Sequence, residues 1–446
     1  MMNTPICDFV RSYAKSEALR FHMPGHKGKA LLGMEHLDIT EFDGADSLYE
    51  ADGIIWESQL NASKLFGART FYSTEGSSQC IRAMLYLILL HAKKTGRRPL
   101  IAAARNVHKT FLTAAALLDF EIIWLYPSQT DSYLSCMLDA ESLDKSLSHL
   151  EEKPVAIYLT SPDYLGGIAP IKEISDVCHR HESLLLVDNA HGAYLRFLNP
   201  SLFPTDLGAD LCCSSAHKTL PVLTGGAYLH ISEAAPSEFI HQAVNALMLF
   251  GSTSPSYLIL QSLDAANAYL SDHYAQRLRA FIARVEQLKA VLTKRGYLLR
   301  QSEPLKLTIS AKPYGYYGDE LAELLMEKSI VCEFHDPDFI VMMLTPENTQ
   351  DELAKLEQAL LAIPPRSPIT ESPPAFHRCR PVMSVREAAF SACETVPVIE
   401  SIGRILAQPS IGCPPAVPIV ICGERIDDDA AACLAYYGRE SCTVVL

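Results

Sequence analysis

The chain contains two His-Lys-Thr triplets, and they differ in what precedes them. Lys218 lies in "SAHKTL", which follows a short apolar run, whereas Lys109 lies in "NVHKTF", which opens a predicted helix. Another apolar run, "LLLVD", ends on Asp188 thirty residues before Lys218. A carboxylate at the end of a buried strand is costly unless it meets a partner, so Asp188 either caps the next helix or pairs with a cationic group.

An aspartate at one strand end and a lysine beyond a later strand form the arrangement that pyridoxal 5'-phosphate requires. The lysine amine forms a Schiff base with the cofactor aldehyde, and the aspartate keeps the pyridine nitrogen protonated as an electron sink. Lys218 is therefore the predicted nucleophile and Asp188 its partner. Lys109 precedes the Asp188 strand and lacks this position. We expect His108 either to stack on the cofactor ring or simply to cap the helix that follows.

The phosphate group of such a cofactor needs hydrogen-bond donors, and "STEGSSQ" (73–79) offers them at the start of a predicted helix. The hydroxyls of Ser77 and Ser78 would act together with backbone N–H groups and the helix dipole. An ordinary serine cap is the alternative. Further candidates for cofactor binding lie beside Asp188, beside Lys218 and in the "STSPSY" loop: His191, Ser215, His217 and Thr253.

The elements that position these residues alternate between short apolar strands and amphipathic helices from about residue 99. Strands are expected at 99–104, 121–126, 154–160, 183–190, 209–216 and 225–232. Continuous apolar strands separated by helices are typical of a mostly parallel sheet covered on both faces, the α/β class, in which ligands bind at the carboxyl ends of strands. Long helices follow after about 250, then a smaller set of strands and helices, and a proline-rich stretch at 364–381.

Composition limits the function further. A net charge of −14 in 446 residues argues against nucleic acid and suits cationic small molecules. No apolar run reaches the roughly 18 residues of a membrane span. The N-terminus has no secretory pattern, and thirteen scattered cysteines favour free thiols, so we expect a cytoplasmic protein. His22 and His26 in "HMPGHKG" are four residues apart, but Pro-Gly breaks the helix that a metal pair would need, so no metal site is expected.

Taken together, these motifs resemble the Orn/Lys/Arg decarboxylase family of pyridoxal-phosphate enzymes. The matching segments are "FHMPGHKG" (21–28), "STEGSS" (73–78), "RNVHKT" (105–110), "TSPDYLGG" (160–167), "VDNAHGAY" (187–194), "SAHKTLP" (215–221), "STSPSYLILQSLD" (252–264) and the tail from "ETVPVIESIGRI" onwards. The resemblance implies the PLP-dependent transferase fold of type I, with small α+β C-terminal domains. It implies that His108 stacks on the ring and that Thr253 reaches the phosphate of a neighbouring subunit.

The resemblance also implies the domain organisation and the reaction. We expect an N-terminal segment and dimer arm at 1–70, a large cofactor-binding domain at 71–290, a small α+β domain at 291–363, a linker at 364–381 and a C-terminal domain at 382–446. The implied reaction is decarboxylation of arginine, lysine or ornithine in a homodimer or higher homo-oligomer with composite active sites, with catalysis by Lys218, His217, Asp188 and His108. Glu394 is the residue expected to meet the distal cation of the substrate.

Four positions depart from the family pattern and leave the substrate open. Asn189 stands where glutamate is usual, Glu75 where asparagine or glutamine is common, and Cys413 and Ala416 lie in a segment that helps to shape the substrate pocket. Two other functions therefore stay open. One is a different PLP-dependent reaction, as in an aminotransferase or lyase, with Arg380 or Arg386 holding the substrate carboxylate. The other is a non-catalytic regulatory relative, which the intact Asp188 and Lys218 disfavour.

Overall fold

The computed structural model describes residues 2–16, 18–127, 132–375, 378–408 and 415–446. The chain divides into two compact units. Unit 1 comprises Met1–Pro99, Lys153–Tyr158 and Ile171–Arg277, and unit 2 comprises Leu100–Glu152, Leu159–Pro170 and Leu278–Leu446. The domains predicted from the sequence are consecutive segments of the chain, whereas each unit combines separate segments. The predicted boundaries remain a prediction.

The strands of the central sheet come first in the chain, and the strands of the smaller sheets follow. They are β1 (Arg69–Ser73), β2 (Leu100–Ala104), β3 (Glu121–Leu125), β4 (Ala156–Thr160), β5 (Leu184–Asp188), β6 (Leu211–Ser214), β7 (Ala227–Ile231), β8 (Leu298–Leu299), β9 (Lys306–Ser310), β10 (Phe334–His335), β11 (Phe339–Met343), β12 (Arg380–Pro381), β13 (Cys393–Pro397), β14 (Glu424–Arg425) and β15 (Ser441–Val445).

Helices alternate with the strands of the central sheet, as the sequence pattern predicted. They are α1 (Pro5–Lys15), α2 (Ile54–Phe66), α3 (Gly76–Thr95), α4 (Lys109–Leu118), α5 (Ala140–Ser148), α6 (Ile171–Arg180), α7 (Ala216–Thr219), α8 (Glu238–Met248), α9 (Tyr257–Ser271), α10 (Tyr274–Arg295), α11 (Gly318–Met326), α12 (Gln350–Ala362), α13 (Val385–Phe390) and α14 (Asp428–Tyr436). In the described part of the chain, no helix combines the length and the apolar character needed to cross a membrane.

Strands β1 to β7 belong to one mostly parallel central sheet, which confirms the predicted α/β class. In unit 1, β7 lies between β1 and β6 and is antiparallel to both, whereas β5 and β6 run parallel, with Asp188 opposite Cys213. Leu185, Leu186 and Val187 are fully buried, as expected for a strand covered on both faces. Because β5 and β6 run parallel, their carboxyl ends lie at the same edge of the sheet.

Unit 2 contains the parallel pair β2 and β3 and three small antiparallel sheets. Strands β10, β11, β9 and β8 form one of these in that order, β12 pairs with β14, and β13 pairs with β15. An apolar core formed from residues distant in the sequence includes Leu134, Leu165, Val341, Ile426 and Val444. Strands β11 and β15 therefore bury apolar side chains in this core.

Candidate active site

The carboxylate of Asp188 lies buried at the carboxyl end of β5. Its side chain is 2% exposed. Oδ2 accepts a hydrogen bond from the Tyr158 hydroxyl at 3.2 Å, and Oδ1 accepts from the backbone N–H of Ala190 at 3.2 Å and lies 3.5 Å from the Cys213 sulfur. Burial raises the pKa of Asp188, and the positive charge of Lys218 opposes part of that rise. A cationic partner would therefore stabilise the ionised form.

Lys218 lies in α7, the short helix that directly follows β6. Its Nζ atom is 2.9 Å from Nε2 of His191, a histidine that is 5% exposed and lies three residues beyond Asp188. Asp188 ends β5 and Lys218 follows β6, and because these two strands run parallel, both residues lie at the same edge of the sheet. The predicted relation between the two strand ends is therefore present in unit 1.

His217 precedes Lys218 and is held through its own ring. Its Nδ1 atom lies 3.0 Å from the carbonyl oxygen of Gly226, so Nδ1 carries the proton and donates it. Burial lowers the pKa of His217, and the charge of Lys218 lowers it further, while the hydrogen bond to Gly226 acts in the opposite direction. The imidazole is accordingly neutral near pH 7, with Nε2 as an acceptor.

A cluster of hydroxyls lies at the N-terminus of α3. The Ser215 hydroxyl donates to Oγ of Ser77 at 2.8 Å, and Ser77 and Ser78 belong to the first turn of this 20-residue helix. Gly76 has a φ of +72°, its N–H donates to the carbonyl of Gly225 at 2.7 Å, and a Cβ added there would meet open space. Hydroxyls, first-turn N–H groups and the positive end of the helix dipole together fit a phosphate group.

Glu75, one of the departures from the family pattern, connects this helix start to another loop. Its Oε1 atom accepts a hydrogen bond from the backbone N–H of Ser252 at 2.9 Å. Thr253 is the next residue, and it is exposed on the single chain. The hydroxyl cluster and the loop that carries Thr253 are therefore held together within unit 1.

Asn189 is fully buried directly after Asp188. Its Nδ2 donates to Oγ of Ser214 at 3.1 Å, and its Oδ1 has no hydrogen-bond partner among the described residues. A Cβ added at Gly192 would lie 2.0 Å from that oxygen, so the turn after β5 is tightly packed. Glutamate at this position would be longer and could not make the amide donation to Ser214.

The first His-Lys-Thr triplet lies in unit 2 and begins α4. Nδ1 of His108 accepts from the backbone N–H of Thr110 at 3.2 Å and lies 2.8 Å from its hydroxyl, so His108 caps the helix. Ring stacking by His108 remains a prediction. The backbone N–H of Lys109 donates to the carbonyl of Ala416 at 2.8 Å, and Ala416 is buried with a φ of +58°. Cys413 lies outside the described residues.

The remaining candidates are charged residues of unit 2, and Glu394 and Arg386 already have partners. Oε1 of Glu394 lies 2.7 Å from Nη2 of Arg404, and the glutamate side chain is 44% exposed. Nη1 of Arg386 donates to the carbonyl of Ala116 at 2.6 Å, at the end of α4. Arg380 is exposed in β12. A substrate role of Glu394 remains a prediction.

Two contacts of the site were not predicted from the sequence. Tyr158 donates to Asp188 from the predicted strand at 154–160, where its hydroxyl is a polar group within an otherwise apolar run. That polar group was the available signal, because a buried tyrosine hydroxyl usually finds a hydrogen-bond partner. The role of Glu75 had no comparable signal, since its partner Ser252 is distant in the sequence.

The sequence matches one protein family over most of its length. The family model for the Orn/Lys/Arg decarboxylase major domain matches residues 4–310, and the model for the C-terminal domain of the same family matches residues 373–440. An arginine decarboxylase of Halalkalibacterium halodurans is 30% identical over 96% of this chain and 92% of its own length. An arginine decarboxylase of Bacillus subtilis is 28% identical over the same shares of the two chains.

The fold is similar to that of solved decarboxylases. The Francisella novicida lysine decarboxylase superposes with a TM-score of 0.79 at 17% identity, covering 99% of this chain and 81% of that one. Lysine decarboxylase A from Pseudomonas aeruginosa gives a TM-score of 0.78 at 18% identity, covering 97% and 75%. This likeness confirms the predicted fold, that of PLP-dependent transferases of type I.

We predict that Asn189→Glu lowers the free energy of unfolding by about 3 kcal/mol relative to Asn189→Gln, because it buries a charge without a partner. Urea unfolding of the two variants measures the difference. The glutamine variant has the same length without the charge, so it separates charge from packing. Equal stability of the two variants would contradict this account of Asn189.

Proposed function

This chain belongs to the Orn/Lys/Arg decarboxylase family, and we propose that it uses pyridoxal 5'-phosphate, held between Asp188, Lys218 and the start of α3, to decarboxylate arginine. The reaction class, removal of CO₂ from a basic amino acid to give the amine, follows from the family. Arginine as the substrate and the residue roles are our proposals. The names of the two bacterial relatives support arginine.

The observation that carries the proposal is that Asp188 and Lys218 lie at one edge of the sheet, at the ends of the parallel strands β5 and β6. Asp188 is nearly inaccessible, whereas Lys218 is half-buried, and its amine lies 2.9 Å from Nε2 of His191. An accessible amine above a buried carboxylate suits a ligand that has an aldehyde at one position and a basic ring nitrogen at another.

The residues present fit this cofactor. Ser77, Ser78 and Ser215, with the N–H groups of the first turn of α3, would hold the phosphate. Asp188 would keep the ring nitrogen protonated, and His108 would stack on the ring face. Pyridoxal phosphate supplies an electron sink for the electron pair that is released when the substrate carboxylate leaves as CO₂.

The other side chains of the site would transfer protons or orient neighbouring groups. Lys218 would hold the cofactor through its amine and later return a proton to the substrate carbon. His191, 2.9 Å from that amine, orients it. His217 is fixed by Gly226 and neutral, so its Nε2 can accept a proton from the amine and give it back. Tyr158 keeps the Asp188 carboxylate in place.

Transamination receives less support than decarboxylation. Arg386, one of the two arginines considered for the substrate carboxylate, is hydrogen-bonded to the end of α4. The guanidinium group of Arg386 is thus held by the carbonyl of Ala116, and its Nε atom lies 3.8 Å from the Asp119 carboxylate. The family membership agrees with this preference.

We also propose a cytoplasmic homodimer with composite sites. In the N-terminal segment, Leu19, Phe21, Leu31 and Leu32 are 81%, 91%, 86% and 85% exposed, and several large apolar side chains exposed in one segment support a protein interface there. The described cysteines, most of them buried, are free, which supports a reducing compartment. Thr253 is accessible on the single chain and could donate to the cofactor phosphate of a partner subunit.

We predict that Lys218→Ala abolishes the visible absorbance of the lysine-bound cofactor, because the covalent attachment is lost. Lys109→Ala is the matched control, with the same His-Lys-Thr context but a position at the start of α4, and it should keep the absorbance. Absorption spectra of the purified, cofactor-loaded proteins measure both. A colourless Lys109→Ala variant and a coloured Lys218→Ala variant would reverse the assignment.

We predict that Asp188→Asn lowers turnover by about 100-fold or more while the absorbance of the bound cofactor remains, because only the electron sink is weakened. Release of CO₂ from arginine measures turnover. Asp210→Asn is the control, since Asp210 is also buried and accepts from Leu185 N at 2.7 Å, away from the cofactor groups. Near-normal turnover in Asp188→Asn would remove the aspartate from the mechanism.

We predict that Thr253→Ala weakens cofactor retention by about tenfold through loss of a charge-assisted hydrogen bond.

Cofactor removal should shift the protein towards smaller species, because a ligand bound across an interface stabilises the assembly. Mixing Lys218→Ala chains with Thr253→Ala chains should produce hybrid sites that carry both intact residues and retain the cofactor as tightly as the wild type. A fully active monomer in sedimentation would contradict the composite site.

A further inference from the structure

Arg105 is a buried arginine of unit 2 whose guanidinium group binds the protein backbone. It follows β2 directly, and its side chain is only 3% exposed. Nη1 donates a hydrogen bond to the carbonyl of Pro418 at 2.9 Å, and Nη2 donates to the carbonyl of Ile419 at 2.9 Å. Nη2 also lies 3.5 Å from Oε2 of Glu424, whose side chain is equally buried. One side chain thus holds residues that lie 313 and 314 positions further along the chain.

This arrangement fixes the backbone more closely than apolar packing would. A buried ion pair is weak evidence for a stabilising role, because well-packed apolar residues of the same volume often serve as well. The planar guanidinium fork presents its N–H groups in fixed directions, so it sets both the position and the orientation of the carbonyls that it binds. Glu424 also accepts from the backbone N–H of Ile421 at 2.8 Å. Residues 416–424, which we call the clamped segment, are therefore held relative to the end of β2.

The clamped segment begins with a residue in a strained conformation. Ala416 is fully buried and has a φ of +58°, in the left-handed region that residues with a Cβ atom rarely adopt. Its carbonyl accepts a hydrogen bond from the backbone N–H of Lys109 at 2.8 Å. Backbone strain of this kind persists only where the surrounding structure imposes it, and it is concentrated at functional sites. The bonds from Arg105 and Lys109 impose it here.

Both attachments of the clamped segment lie in the loop that carries His108. Arg105 precedes this histidine by three residues, and Lys109 follows it as the first residue of α4. The imidazole itself is held by the backbone N–H of Thr110, which donates to Nδ1 at 3.2 Å. The clamped segment is therefore bonded to the loop on both sides of His108. If His108 stacks on the cofactor ring, this segment is its direct neighbour.

We propose that Arg105 is a positioning residue of the decarboxylation site, and that the clamped segment which it holds borders the amino-acid substrate. Arg105 does not touch the substrate, because its guanidinium group is buried and bound to the backbone. The inference rests on the proposed function in the placement of His108 at the cofactor. Asp188 and Lys218 belong to other elements, so loosening the segment weakens substrate binding and leaves the chemical step largely intact.

Arg105→Lys tests the role of the guanidinium fork. Lysine keeps a positive charge beside Glu424 but cannot present two N–H groups to two carbonyls in the same fixed geometry. The KM for arginine, from initial rates of CO₂ release, should rise about tenfold, with kcat within about threefold of the wild type. A merely structural Arg105 would reduce the amount of native enzyme, so kcat would fall at an unchanged KM, and that result overturns the proposal.

Arg97→Lys is the matched control for this substitution. Arg97 also binds backbone carbonyls through its guanidinium group, since Nη2 donates to Lys153 at 3.0 Å and to Pro154 at 2.9 Å. It belongs to unit 1 and has no contact with the clamped segment through these bonds. Its KM should stay within about twofold of the wild type. An equal rise of KM in both variants overturns the proposal.

A second variant acts at the other attachment and leaves the buried ion pair intact. Lys109 is the first residue of α4, where proline is well tolerated, and the extended backbone of His108 is compatible with a following proline. Lys109→Pro removes the N–H that binds Ala416, and its ring takes the space of that hydrogen bond, so the clamped segment must shift. KM should again rise about tenfold, whereas Lys109→Ala, which keeps the N–H, should stay within about twofold of the wild type. A wild-type KM in folded Lys109→Pro overturns the proposal.

Hydrogen exchange read by mass spectrometry follows the clamped segment without turnover. Amides of residues 416–424 should exchange about tenfold faster in Arg105→Lys and in Lys109→Pro than in the wild type. Unchanged exchange in both variants overturns the proposal, and so does faster exchange with an unaltered KM. Lysine and ornithine are assayed beside arginine. If one of them alone releases CO₂, arginine is the wrong substrate, and the KM comparison is made with the amino acid that is turned over.

Discussion

Burial of the Asp188 carboxylate is the constraint around which the site in unit 1 is organised. The strand that ends on it is apolar and fully covered, so the carboxylate is removed from water at the edge where β5 and β6 both end. Tyr158 and the N–H of Ala190 satisfy part of its hydrogen-bonding capacity, and neither neutralises its charge. Burial raises the pKa of Asp188, so a cationic group such as a protonated ring nitrogen would stabilise its ionised form.

The start of α3, in contrast, favours a negatively charged group. Hydroxyls of Ser77 and Ser215 meet where the dipole of a long helix is positive, and this favours an anion. Glu75 directs its carboxylate to the N–H of Ser252, so the acidic residue next to this helix start is hydrogen-bonded to the neighbouring loop. A ligand that carries both a basic ring nitrogen and a phosphate would pair with Asp188 and with the start of α3. An amine such as that of Lys218 could hold it in place.

Much of this arrangement could be predicted from the sequence because it depends on strand ends. The apolar run before Asp188 fixed where the carboxylate would lie, and the following strand placed Lys218 at the same edge. Contacts between distant segments could not be predicted in this way. The hydrogen bond from the backbone N–H of Ser252 to Glu75 joins residues 177 positions apart, and no local pattern indicates it. The role of His108 could not be decided from the sequence, because a histidine that caps a helix and one that stacks on a ring have the same sequence pattern.

Product analysis with carboxyl-labelled substrates tests the central claim most directly. Purified, cofactor-loaded protein is incubated separately with arginine, lysine and ornithine carrying ¹³C in the α-carboxylate, and gas and amine are quantified by mass spectrometry. The account predicts labelled CO₂ and the corresponding amine in equal amounts, with arginine turned over fastest. Formation of a 2-keto acid without labelled CO₂, or no product from any of the three amino acids, would contradict it.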